Sequence, residues 1–427
     1  MLTYFLFLFY LTIGILLLHR MVRKKEFPFT IYHTTAVVLF KVLMGCLYGY
    51  IFLHYYGGDD TWGYFYASKI ETDLLLTHPG RFFRELLPGS SLWSDFFHSR
   101  TSCLVHLQRL ENSFMVKSLA VLNLFSGKNY YIDLLWFDLL TIAGSLLLFK
   151  ILIRHLPQKA GMYFLLVFFI PSITFWISGI RTEALIVLFI AIVLYNGEEY
   201  ANRSRIKHAA GILLGLAGFL LFRYQYLFFF LPAFAAFMIS LRKKLSTPVY
   251  FNRIYLVMLL IFVTSLFLPS ALQLSRPLIY AQQSFLVLHG NTRYALNSLQ
   301  PGPVSFFKIL PQAIANSSFR PYPWEGNGLL QSLSSIENIF LFTGFLFFAL
   351  NFQPKNRNRE PLFWLFLYYA VFQLIAIGFT VPFPGAIVRY RSIPFLFLFL
   401  FLFSPDNILH EKLNKILFSR ILHKNII

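Results

Sequence analysis

Residues 31–53 read IYHTTAVVLFKVLMGCLYGYIFL, and residues 54–64, directly after them, read HYYGGDDTWGY. The first stretch carries one charged residue, Lys41, in 23 positions. About 20 mostly apolar residues are what an α-helix needs to cross a bilayer. The second stretch changes character within a turn: a glycine pair, then two adjacent aspartates among aromatic residues. Together they read as a membrane span that ends in a polar motif at one membrane surface.

Similar apolar runs lie at 2–19, 131–153, 161–178, 183–197, 208–222, 225–241, 254–270, 336–350, 362–380 and 391–405. The fold expected is an all-α polytopic transmembrane bundle of about 11 spans, a single integral membrane domain over 1–427. Composition agrees. Of 427 residues, 57% are hydrophobic and 13% charged, against about 45–50% and about 25% in soluble domains. Mean hydropathy is +0.62. This excludes a disordered chain, a coiled coil, a disulfide-rich scaffold and an ordinary cytosolic enzyme. The first run reads as a span and not a signal peptide, because its basic cluster follows the apolar core. Cys46 lies in an apolar run and Cys103 in a polar one, so no disulfide or metal pattern is expected.

The net charge of +19 is explained by orientation. Arg20, Arg23, Lys24 and Lys25 follow the first run, Arg154 and Lys159 the third, and Arg203, Arg205 and Lys207 the fifth. Arg242, Lys243, Lys244 and Arg253 follow the seventh, and Lys355, Arg357 and Arg359 the ninth. Lys412, Lys415, Arg420 and Lys424 close the chain. All fall on one side, which the positive-inside rule makes cytoplasmic. The expectation is a multi-pass protein of a bacterial cytoplasmic membrane, amino terminus outside and carboxyl terminus inside. No basic domain stands apart from the apolar runs, so nucleic acid is not expected as a partner. Two long segments, 54–130 and 271–335, then lie on the outer side and are expected to hold short interfacial helices, such as 80–87 and 105–124. Trp62 and Trp93 suit the headgroup zone.

Five polar clusters map to that outer side. Asp59 and Asp60 follow the second run. One carboxylate can serve as a general base or hold a divalent cation, and either residue can instead cap the next helix. Arg181 and Glu183 make the turn after Pro171–Gly179, where they can pair locally or face a cavity, with Arg able to grip a lipid phosphate. Arg223 and Tyr224 interrupt an apolar stretch, as a functional pair or an interfacial anchor. Arg320, Trp324 and Glu325 are types expected around a sugar, an aromatic face for C–H groups and charges for hydroxyls, or else a structural loop. Arg389 and Arg391 can clamp a phosphate or snorkel at a span end. Lys41 and Asp138 are the charges within spans.

This pattern resembles the GT-C superfamily of membrane glycosyltransferases, which use polyprenyl-phosphate-linked sugars. Three stretches look closer to bacterial glycosyltransferase or polysaccharide-polymerase-like membrane proteins: Pro171–Glu183, Arg320–Glu325 and Gly385–Arg391. Where that group carries a lysine beside the glutamate, this chain has Thr182, with Arg181 one position earlier. The GT-C acidic loop follows the first span; here it follows the second, which implies an added amino-terminal span. The resemblance implies that Asp59 or Asp60 acts on the acceptor and that outer arginines hold the lipid phosphate. Expected partners are a polyprenyl-phosphate sugar, a glycan, lipid or protein acceptor, and membrane lipids. No cofactor is indicated with certainty, and a divalent cation stays an open option. The rival classes are a polysaccharide polymerase or ligase, a lipid or solute transporter, and a non-catalytic envelope subunit.

Overall fold

The computed structural model describes residues 2–25, 27–85, 100–242, 247–269, 272–288, 292–325, 328–350, 360–404, 413 and 416–418. Trp93 and the basic residues Lys243, Lys244, Lys355, Arg357, Arg359, Lys412, Lys415, Arg420 and Lys424 lie outside these. Among the described residues every regular element is helical. Eight of these helices are long and apolar enough to cross a membrane. The chain divides into two compact units: 1–196 with 205–224 and 414–427, and 197–204 with 225–413.

In the first unit, α1 (Leu2–Lys24) and α2 (Ile31–His54) are both of spanning length. Thr30 starts α2 with a reciprocal cap: its hydroxyl accepts from His33 N, and His33 Nδ1 accepts from Thr30 N. The chain then reverses over Gly57 and Gly58, at φ 73° and 111°. A side chain would strain that backbone. Helices α3 (Asp60–Thr77), α4 (Pro79–Arg84) and α5 (Arg100–Ser126) follow, and α3 packs along α5. Trp62 anchors α3, donating from Nε1 to Gly49 O at 3.0 Å and stacking on Tyr130 at 3.9 Å. Tyr130 opens α6 (Tyr130–His155), capped by Asn129, which accepts from two backbone amides.

The run 161–178 is not one continuous helix. It gives two short helices, α7 (Ala160–Phe168) and α8 (Pro171–Trp176), then a non-helical stretch over 177–181. Pro171 is the local reason: it lacks an N–H and disfavours helix at Ile170, whose ψ is 111°. Helix α9 (Thr182–Arg203) begins at the end of this stretch.

The runs 208–222 and 225–241 form two helical stretches that meet at a break, together labelled α10 (Ile206–Arg242). It is interrupted at Arg223, whose φ of −158° and ψ of 71° are not helical. The apolar run 336–350 lies in α14 (Leu329–Leu350), whose first half carries Gln331, Glu337 and Asn338. The apolar runs thus differ from the helices in continuity, at Pro171 and at Arg223.

The second unit holds α11 (Thr247–Ser265), α12 (Arg276–Val287), α13 (Pro303–Ile314), α14, α15 (Pro361–Thr380) and α16 (Pro384–Leu402). Helix α15 is central, packed on α11, α12, α13 and α16. A Cβ on Gly378 would sit 2.0 Å from Ala313 O, so glycine sets how closely α13 approaches α15. Phe306, Ile309, Leu266, Ile279 and Phe379 close the core there.

Candidate functional site

The polar turn after α2 is where the first unit gathers its charges. Asp59 is the N-cap of α3, and its Oδ1 accepts from Thr61 N at 3.2 Å. Its Oδ2 accepts from the Tyr48 hydroxyl and from Arg181 Nη1, the latter at 2.7 Å. Asp60 is the first residue of α3, and its Oδ2 lies 3.4 Å from Arg181 Nη2. The cap reading holds for Asp59, which is also drawn into an ion pair, while Asp60 is the more exposed of the two. The Asp59 side chain is 14% exposed and that of Asp60 57%.

Arg181 ends the non-helical stretch 177–181 and is buried. Its Nε lies 3.5 Å from Glu183 Oε2, longer than its contact with Asp59. Its guanidinium also sits 5.1 Å from the Tyr48 ring centre. Glu183, in the first turn of α9, faces Arg223 as well, 3.5 Å from Nη2. Arg223 Nη1 donates to Glu111 Oε1 at 2.8 Å. The break in α10 at Arg223 thus coincides with an ion-pair chain, Asp59–Arg181–Glu183–Arg223–Glu111. Arg223 is no interfacial anchor, and Tyr224 beside it is half-buried.

Glu111 was legible only as one of many outer acids; nothing in its helical neighbourhood singled it out. Tyr64 also borders this chain. Burial pushes its phenol well above the usual value; the Glu111 carboxylate adds to this and Arg223 opposes it. Four carboxylates and two guanidiniums meet here, so the cluster carries a formal excess of two negative charges. No group of three or more metal-type ligands forms among the described residues, so the adjoining aspartates do not build a cation site by themselves.

Deeper in the same unit, Lys41 and Asp138 pair with each other at 3.5 Å, both buried. Lys41 Nζ also donates to Ile177 O at 2.7 Å. That carbonyl belongs to the non-helical stretch and has no place in a helical ladder. Lys41 supplies the donor that water would supply outside a membrane.

The second unit holds the remaining predicted residues. Arg391 is wholly buried and spends its donors on Ser317 O, Arg320 O and Ser334 Oγ, at 3.2, 2.5 and 2.7 Å. Arg389 and Arg391 are two apart on α16, so they leave the helix on different sides. They do not form the two arms of one clamp. Arg320 pairs with Glu325, Nε to Oε1 at 3.1 Å, and Trp324 between them is exposed. Arg320, Trp324, Glu325 and Arg391 thus share one neighbourhood, as Asp59, Asp60, Arg181, Glu183 and Arg223 share another.

No protein-family model, curated protein or solved structure matches the chain.

Proposed function

We propose that the chain transfers a sugar from a polyprenyl-phosphate-linked donor to an acceptor hydroxyl at the outer face of a cytoplasmic membrane, with Asp60 as general base. The observation that carries this reading is the unequal treatment of the two aspartates. Asp59 is tied to Tyr48, Thr61 N and Arg181. A carboxylate so engaged is stabilised as the anion and is a weak base. Asp60 keeps the outward position, with Arg181 behind it.

In this reading the acceptor hydroxyl gives its proton to the Asp60 carboxylate while its oxygen bonds to the anomeric carbon. The bond from that carbon to the phosphate oxygen breaks, and polyprenyl phosphate leaves as the anion. Arg181 and Arg223 are spent on carboxylates, so their part is to keep the acidic cluster ionised. The donor phosphate then falls to basic side chains outside this cluster.

The test is transfer of labelled sugar from undecaprenyl-phosphate-linked mannose or glucose in proteoliposomes. Asp60→Asn should lower turnover by about 10²–10⁴-fold, the usual worth of a positioned base. Unchanged turnover in that variant sinks the assignment.

A second reading, a lipid or solute transporter, is favoured by one observation. A helical path broken at 169–170 and again at 177–181, beside a buried Lys41–Asp138 pair, is the kind of discontinuity that transporters place at their binding sites. Solute accumulation in the same proteoliposomes with no new glycosidic bond would decide for it.

A further inference from the structure

The stretch Arg320–Glu325 is not used by the transfer chemistry above, yet the second unit spends buried polar groups on fixing it. Arg391 holds Arg320 O from below at 2.5 Å. Asn338, from α14, donates to both Phe319 O and Pro321 O, at 2.8 and 3.0 Å. Glu325 Oε2 accepts from Tyr322 N at 3.1 Å and closes the turn on itself. A surface loop held by four hydrogen bonds, involving a buried arginine, an asparagine and its own glutamate, is pre-organised.

What it presents is specific. Tyr322 and Trp324 stack with ring centres 5.0 Å apart and planes 12° from parallel. The Trp324 side chain is nevertheless 80% exposed, so one indole face is open. Beside the stack lies the Arg320–Glu325 ion pair, with the Arg320 guanidinium 4.8 Å from the Tyr294 ring centre. The Tyr294 hydroxyl is buried and finds no hydrogen-bond partner among the described residues. A buried hydroxyl without a partner costs free energy unless something arrives to meet it. Burial, with the Glu325 carboxylate adding, pushes that phenol up to about 12. It is therefore a donor at neutral pH.

We infer that Tyr294, Arg320, Tyr322, Trp324 and Glu325 form a binding site for a neutral saccharide ring. The open indole face takes the ring's C–H surface, as an aromatic quadrupole favours. Glu325 accepts from a hydroxyl, and Arg320 and Tyr294 donate to ring or hydroxyl oxygens. The paired Arg and Glu offer a donor and an acceptor with no net charge, which suits a neutral ligand better than a phosphate. This goes beyond the assignment of Asp60 and does not depend on it, because binding is read without turnover.

The rival occupant is the lipid headgroup zone, where exposed Trp and Tyr are common. A membrane anchor, however, has no need of a rigid loop, an adjoining ion pair or an orphan hydroxyl. The experiment uses the full chain in nanodiscs and reads Trp324 emission as the difference between wild type and Trp324→Phe. Glucose, mannose, N-acetylglucosamine and their tetrasaccharides are titrated. At least one should shift the Trp324 signal saturably, with half-saturation on the order of millimolar. Glu325→Gln and Tyr294→Phe should each weaken that response by about tenfold, a hydrogen bond's worth. Far-ultraviolet circular dichroism reports whether these variants stay folded. If no sugar in the panel moves the signal, the proposal is overturned. It is equally overturned if brominated lipids quench Trp324, which would place the ring in the headgroup layer.

Discussion

At the scale of single residues, adjacency in sequence proves a poor guide to role. Asp59 and Asp60 differ by one position, yet one is a cap inside an ion pair and the other an outward carboxylate. Asp59→Asn should therefore act mainly on folding, lowering the yield and thermal stability of detergent-solubilised protein. Asp60→Asn should leave both near wild type while removing activity. Arg181 is the more fragile partner. Its replacement by Ala leaves Asp59 without its counter-charge and Glu183 with Arg223 alone, which costs about 3–5 kcal/mol. Denaturant unfolding in micelles would measure it; a loss under 1 kcal/mol would show the ion-pair chain to be ornamental. Arg181→Lys should recover only part, because an ammonium does not fork to two carboxylates.

At the scale of elements, two features depend on groups that no helix propensity predicts. The non-helical stretch 177–181 is held by Lys41, itself balanced by Asp138. Lys41→Met leaves a buried carboxylate alone and should destabilise by about 3–5 kcal/mol. Lys41→Met combined with Asp138→Leu should cost less than Lys41→Met alone, since removing both charges removes the desolvation cost with them. A double variant worse than the single would refute the pairing. The second feature is the approach of α13 to α15 at Gly378. Gly378→Ala overpacks against backbone that a side-chain rotation cannot relieve, a loss of about 1–3 kcal/mol or more. Gly63→Ala, in α3 with open space around it, should instead stabilise by about 0.5–1 kcal/mol through helix propensity. Thermal shifts of opposite sign in the two variants are the expected outcome.

At the scale of the whole molecule, orientation is the outstanding expectation. Twenty of the 37 basic residues fall in alternate loops, which sets one side as cytoplasmic. A cysteine placed at residue 60 in a cysteine-free background should react with a membrane-impermeant maleimide applied to intact cells. One placed at residue 24 should react only after the membrane is opened. The reverse pattern would turn the chain over and remove the acidic cluster from the outer face.

Much of the first unit's cluster could be read before any fold was known, because a charge in an apolar chain is costly and stands out. Arg181, Glu183 and Arg223 are conspicuous for that reason, and they do meet. Glu111 was not legible in the same way. It lies in a helix of mixed polarity, where one acid looks like another until Arg223 is seen beside it. The apolar runs fixed the fold class, since hydropathy acts residue by residue and needs no partner. They did not fix the continuity of each helix, because an apolar segment is free to break, as it does at Pro171 and at Arg223. Whether it breaks depends on where the freed carbonyls and charges find partners: Lys41 for Ile177, Glu111 and Glu183 for Arg223. Those partners lie more than a hundred residues away along the chain in two of the three cases, and only the folded molecule brings them within reach.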